Sequence, residues 1–124
     1  MHVAAGAAAG ALAGSRGKAI LLGLALHAAQ DAVPHEDISS RPFEIVSGTS
    51  LLVLLALRRG LFDPAVIGGA ACAAPDLEHV LALPKPGGRD LFPSHRITGW
   101  HREGGVPARL QLAAAAVVVA ALVR

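Results

Sequence analysis

Apolar residues run in long blocks along the chain, and short segments rich in glycine, proline and charge separate them. Such punctuation is typical of helices joined by turns. The pattern therefore predicts an all-α fold, with a single domain covering residues 1–124. The predicted helices cover residues 3–14, 19–33, 44–57, 64 to about 83, and 107–123.

The fourth predicted helix is interrupted by Pro75, which directly precedes Asp76. Proline lacks the amide hydrogen that an interior helical position donates, so the helix either kinks there or a new helix begins at Pro75. Between residues 84 and 106 the composition changes to proline, glycine, histidine and arginine. This change predicts a long loop before the last helix. Loops of this length in compact domains usually have a functional role.

The composition is too apolar for an ordinary small soluble domain, with 53% hydrophobic and 16% charged residues. It predicts a small membrane-embedded bundle of about five short helices, with membrane lipid as a partner. No block, however, reaches the roughly 18 to 20 uninterrupted apolar residues that identify a spanning helix. Aromatic residues make up only 3% of the chain and the cations are scattered, so a nucleic-acid partner is not expected.

If the five helices alternate in direction, the first residues and the connections after the second and fourth helices lie at one end of the bundle. All six histidines and four carboxylates belong to that end. They are His2, His27, His35, His79, His95 and His101, with Asp31, Asp37, Asp76 and Glu78. The opposite end then holds four cations and one acid, namely Arg16, Lys18, Arg58, Arg59 and Asp63.

Two pairs of residues in this histidine-rich end have the spacing of metal ligands. His27 and Asp31 are four residues apart, and Asp76 and His79 are three apart, so each pair shares a helix face. Histidine nitrogen and carboxylate oxygen are the ligands of zinc and related divalent ions in hydrolytic sites. We therefore expect the two pairs to lie close together, within reach of one ion.

The long loop supplies further candidate ligands. His95 and His101 are predicted to complete the metal shell, and His35 raises the number of candidates to seven, which is enough for two ions. Two ions together activate water and stabilise charge on an attacked phosphoryl or acyl centre.

Three more charged residues are candidates for catalysis. Glu78 or Asp37 is positioned to act as a general base, although a water activated by a metal does not require one. Arg96 is the candidate for binding a phosphate-containing substrate, because a guanidinium group binds phosphate oxygens in bidentate fashion.

The same residues also allow structural interpretations. His27 and Asp31 can form a buried pair that only satisfies two polar groups inside an apolar bundle. Asp76 can be a helix-start acid favoured by the helix dipole, and His95 and His101 can be surface residues. The protein would then be a non-catalytic helical membrane protein, with a structural or transported metal or with none.

Three short motifs carry a resemblance to a known family. The segment from Pro75 to His79 reads Pro-Asp-Leu-Glu-His and is similar to a Pro-Asp-x-Asp-His element, with Glu78 in place of the second aspartate. The segment His95–His101 looks like a His-Arg-Gly-x-Thr-His element, and His27–Asp31 matches a His-x-x-x-Asp helix. Together these motifs resemble the YdjM-like membrane-bound metal-dependent hydrolases.

The resemblance implies a hydrolase at the bacterial inner membrane that uses a divalent metal ion, with zinc as the first candidate. With the arginines of the loop, it suggests a phosphoester substrate, which includes phospholipids.

Overall fold

Helices account for nearly all regular structure of the protein. The computed structural model describes residues 1–102 and 104–124, and within these ranges the other regular features are a 3-10 turn at Pro86–Gly88 and one isolated β-bridge. The all-α prediction is therefore confirmed. The helices are α1 His2–Leu12, α2 Arg16–Ala32, α3 Arg41–Arg59, α4 Pro64–Ala73, α5 Leu77–Val80, α6 Pro93–Arg96 and α7 Ala108–Leu122.

Five of the described helices have ten residues or more, which agrees with the predicted number, and α5 and α6 are single turns of four residues. The longest, α3, has 19 residues. In the described part of the chain, no helix combines the length and the apolar character that crossing a bilayer requires.

Capping residues explain why two helices begin earlier than their apolar blocks. The Ser15 hydroxyl accepts a hydrogen bond from the Lys18 amide at 3.3 Å, so α2 begins at Arg16. The Ser40 hydroxyl accepts from the Phe43 amide at 3.4 Å, and a proline stands in the first turn of α3. Both helices therefore include basic residues that the apolar pattern alone had left in turns.

The fourth predicted helix, from residue 64 to about 83, is divided near Pro75 and ends earlier, at Val80. Helix α4 ends at Ala73, and a separate short helix begins at Leu77. Between them the chain forms tight turns, in which the Asp76 amide donates to the Ala73 carbonyl at 3.2 Å. Pro75 has no amide hydrogen to continue the α-helical pattern, so of the two alternatives for Pro75 a new helix just after it is correct.

Glycines allow α1, α2 and α4 to pack closely. The four-residue spacing of Gly6 and Gly10 brings the α1 backbone against α4, where a Cβ on Gly68 would lie 2.8 Å from the Gly10 Cα. From the other side, a Cβ on Gly23 of α2 would lie 2.6 Å from the Gly68 carbonyl oxygen. Gly14 continues the spacing but lies past the end of α1, at a φ of 70°.

Helices α3 and α7 pack outside this three-helix unit. Leu55 of α3 is fully buried in a small core with Ala7, Ala65 and Val66. At the carboxyl end of α3, the Arg58 guanidinium donates to the Val123 carbonyl at 3.3 Å, and Arg16 of α2 donates to the Phe62 carbonyl at 3.0 Å. Arg16 of α2 and Arg58 of α3 thus lie at the same end of the bundle, as the assumed alternation of helix directions predicted.

The single cysteine is packed inside the unit of α1, α2 and α4. Cys72 is fully buried, and burial raises the pKa of its thiol to about 12. The thiol receives a long hydrogen bond from the Gln30 amide at 3.6 Å. It therefore has the environment of a packing residue.

Candidate metal centre

Four histidines from four segments of the chain form a continuous chain of contacts at the other end of the bundle. The ring centroids of His2 and His27 are 4.5 Å apart, and those of His27 and His95 are 5.3 Å apart. The ring of His79 lies 4.4 Å from that of His95. The loop before α7 thus delivers His95 between residues of α2 and α5.

His35 and His101 form a second contact beside the first. Their ring centroids are 5.0 Å apart, and the His101 Nδ1 lies 4.0 Å from Asp31 Oδ1. Asp31 therefore links the two groups, and all six histidines meet at one end, as the helix alternation predicted.

The centre of the cluster consists of His27, Asp31 and His95. The Nε2 atom of His27 lies 3.1 Å from Asp31 Oδ2 and 3.2 Å from His95 Nε2. The distance from His95 Nε2 to Asp31 Oδ2 is 3.6 Å. His27 and Asp31 are 0% and 2% exposed, so these three ligand atoms converge in a site that is nearly closed to solvent.

Hydrogen bonds on the far side of the two rings determine which nitrogens carry protons. His27 Nδ1 lies 2.9 Å from the Cys72 carbonyl oxygen, which can only accept, so Nδ1 carries the hydrogen. His95 Nδ1 likewise faces a carboxylate oxygen of Glu78. In the neutral rings both Nε2 lone pairs therefore point at each other across 3.2 Å, with the Asp31 carboxylate beside them. Such a group of acceptors repels unless a cation lies among them, either a proton or a metal ion.

The pKa values of the buried residues reflect the same arrangement. Burial lowers the pKa of His27, but the hydrogen bond to Asp31 and the charges of Asp76 and Asp31 outweigh it and raise the pKa overall. Burial also raises the pKa of Asp31, yet hydrogen bonds from His27 and Ser94 lower it below its usual range. Burial lowers the pKa of His2 to about 3, so His2 stays neutral beside the centre.

Two residues that sequence reasoning did not choose as ligands or supports belong to this centre. The Ser94 hydroxyl donates to Asp31 Oδ2 at 2.8 Å and is buried. His2 Nε2 lies 3.8 Å from Asp31 Oδ1. The only sequence signals were the position of Ser94 directly before His95 and the histidine-rich composition of this end.

Asp76 and His79 do not play equivalent parts. Asp76 Oδ1 lies 3.9 Å from His27 Nε2, so this carboxylate borders the centre as expected. His79 instead forms a group with Glu78 and His95, and no candidate ligand group in the described residues contains both His79 and His27. The expectation that one ion reaches all four paired residues is therefore not met. The short α5 presents His79 to the loop histidine His95 and not to α2.

The three catalytic candidates lie in different surroundings. Glu78 is buried, and its carboxylate accepts from His95 and from the amides of Leu91 and Phe92, which lower its pKa although burial raises it. Asp37 has a 61% exposed side chain, 3.6 Å from His35 Nε2. Arg96 is on the surface, where its guanidinium donates to the Asp90 carbonyl.

The loop before α7 is held against α2 by several hydrogen bonds. The Trp100 indole donates to the Ala28 carbonyl at 2.8 Å, and the Arg102 amide donates to the Asp31 carbonyl at 3.3 Å. An isolated parallel bridge pairs His35 with Val106. These bonds keep the loop histidines near the α2 ligands.

Comparisons of this chain with known protein families, with curated proteins and with solved structures find no match.

Proposed function

We propose that the protein is a metal-dependent hydrolase. Its divalent ion, for which zinc is the first candidate, is bound by His27, Asp31 and His95. The observation that supports this most is the convergence of the Nε2 atoms of His27 and His95 and the Asp31 carboxylate in a buried site. Two histidines and one carboxylate are a common ligand set of catalytic zinc, and three protein ligands leave a position for water. The resemblance to the YdjM-like hydrolases belongs to the same proposal.

The residues around the three ligands have distinct tasks in this proposal. Ser94 holds the Asp31 carboxylate, and Glu78 orients the His95 ring, which are the supporting contacts that metal-binding histidines and carboxylates usually have. A bound divalent ion supplies Lewis acidity, which activates water and polarises the substrate. Asp76 is the best placed proton acceptor, because its side chain is 44% exposed and borders both histidines. With its oxygens already engaged, Glu78 has a positioning role instead.

We further propose a phosphoester substrate. Arg89, Arg96 and Arg102 belong to the loop that carries His95 and His101, and all three are exposed. Guanidinium groups next to a divalent ion favour a phosphate-containing substrate, because they bind its oxygens in bidentate fashion. A phospholipid is one substrate of this chemical class.

Metal content and hydrolysis test this function together. Purified protein is expected to contain zinc and to hydrolyse a chromogenic phosphodiester. Alanine at His27, Asp31 or His95 is expected to lower zinc affinity at least about 100-fold and to remove hydrolysis, since each change deletes a ligand. Asp76→Ala is expected to affect hydrolysis more than zinc binding, and His79→Ala is expected to retain the ion.

Asp90→Asn is the matched control, because this half-buried carboxylate pairs with Lys85 and lies outside every candidate ligand group found in the described residues. Full zinc occupancy in any two of the His27, Asp31 and His95 variants would overturn the assignment.

A non-catalytic metal site is the second candidate. His2, His27 and Asp76 form another ligand group that shares His27 with the centre. If Asp76 and His2 both joined the three ligands, no position for water would remain, which is typical of structural sites. Zinc bound with normal affinity but without hydrolysis of any phosphoester would favour this structural or transport role.

A membrane location is also proposed. Large apolar side chains are exposed on several helices, with Leu21 of α2 at 69%, Val46 of α3 at 64% and Val117 of α7 at 70%. Exposed apolar area of this extent favours contact with lipid or with another protein. We expect the protein to sediment with membranes and to resist an alkaline carbonate wash. Release into the aqueous fraction without detergent would contradict this location.

A further inference from the structure

A second group of metal-ligand residues lies beside the centre. His35 Nε2 and His101 Nε2 lie 3.6 Å and 3.5 Å from the same oxygen of Asp37. One ligand atom from each of these three residues falls within 4.8 Å of the other two. The group shares no residue with the triad of His27, Asp31 and His95, so it is a separate candidate site.

The protonation of His35 suits metal binding. Its Nδ1 atom lies 2.7 Å from the Val33 carbonyl oxygen and must donate to it, because a carbonyl only accepts. The Nε2 lone pair is therefore free and faces Asp37. A backbone carbonyl that fixes the tautomer in this way is a common partner of a metal-binding histidine.

Backbone hydrogen bonds hold the two segments that carry these ligands. The His35 amide donates to the Arg102 carbonyl at 3.2 Å, and the Val106 amide donates to the Pro34 carbonyl at 3.0 Å. Gly105 adopts a φ of 85°, and a Cβ there would lie 2.9 Å from the Pro34 Cβ, so the close approach needs glycine. His35 and His101 are thus brought together by the fold of both segments.

We propose that His35, Asp37 and His101 bind a second divalent cation, which fastens the loop before α7 to the connection between α2 and α3. Two imidazole nitrogens and a carboxylate suit the same zinc-like ions as the centre. Asp37 is 61% exposed and His101 40% exposed, so solvent fills the remaining positions and the ion exchanges readily. The second site is therefore weaker than the buried centre.

The two sites are adjacent through His101, whose Nδ1 atom lies 4.0 Å from Asp31 while its Nε2 atom faces Asp37. An ion at the second site holds His101 next to a ligand of the first. The inference extends the proposed function, because it assumes the same class of ion, but it depends on different residues.

Zinc titration of the metal-free full-length protein by calorimetry tests the inference. We expect two equivalents, one tight and one weaker. His35→Ala, His101→Ala and the milder Asp37→Asn are expected to weaken the second equivalent at least about 100-fold and to leave the tight one, whereas Asp90→Asn keeps both. Hydrogen exchange at the Glu36 and Val106 amides, which bond between the two segments, is expected to slow only when the second equivalent binds.

The outcomes separate the two proposals. One equivalent in the wild type that disappears in His27→Ala and persists in His35→Ala would overturn the second site and support the centre. Two equivalents that both survive in the His35 and His101 variants would also overturn it. No zinc binding in the wild type would overturn the centre and the second site together. Binding that is lost only in the His35, Asp37 and His101 variants would support the second site and overturn the proposed function.

Discussion

Replacing Gly68 with alanine is expected to lower the free energy of unfolding by about 3 kcal/mol or more. The added Cβ would lie 2.8 Å from the Gly10 Cα and closer still to the Gly6 carbonyl oxygen. Both are backbone atoms of α1, so no side-chain rotation relieves the clash. Helices α1 and α4 must move apart instead. This movement also disturbs the contact of α4 with α2, because Gly23 of α2 packs against the carbonyl oxygen of the same Gly68.

Gly48→Ala is the matched control for this prediction. Gly48 is in the interior of α3, where a Cβ would meet only the Val3 Cγ2 at an ordinary 3.5 Å. Alanine is the better helix former by about 1 kcal/mol, so this variant is expected to be neutral or stabilised. Urea unfolding followed by circular dichroism measures both. Equal stability of the two variants would contradict the close packing of α1 against α4.

The apolar pattern was sufficient to predict the number of long helices, and the assumption that they alternate in direction was sufficient to place the histidines at one end. The errors of the apolar pattern occur where polar residues determine the helix ends, as at Ser15 and Ser40, whose hydroxyls extend α2 and α3 toward their amino termini. At Pro75 the missing amide hydrogen predicted an interruption, but the apolar residues that continue past it left a kink and a new helix both open. Hydropathy does not register a missing amide hydrogen.

For the candidate site, spacing predicted the contact of His27 with Asp31, and helix alternation predicted the gathering of the histidines. Which of these ligands belong to the same metal site depends on tertiary packing, and the spacing of residues along the chain does not predict it. His95 comes from a four-residue helix inside the loop and contacts both His27 and His79, so His79 is assigned to a different group from His27. The supporting role of Ser94 required knowing where α6 packs.

Zinc is expected to stabilise the metal-free protein against heat by roughly 10–15 °C when its free concentration is about 1,000 times the dissociation constant. At that excess, a ligand that binds only the folded state adds about 4 kcal/mol to the free energy of unfolding. The centre joins α2 to the loop before α7, because His27 and Asp31 come from one and His95 from the other. Unfolding separates these ligands, so it must release the ion. Calorimetric or circular-dichroism melting with and without zinc measures the effect.

Variants at the ligand and supporting positions distinguish this effect from nonspecific zinc binding. His27→Ala and His95→Ala are expected to lose the stabilisation, because each leaves too few ligands at the buried centre. Ser94→Ala is expected to retain it but to need about 10 to 100 times more zinc, since Ser94 only orients the Asp31 carboxylate. Asp90→Asn is expected to behave like the wild type. Equal zinc stabilisation of the wild type and of His27→Ala would mean that the ion binds elsewhere, and the convergence of Nε2 atoms would then be explained by a shared proton.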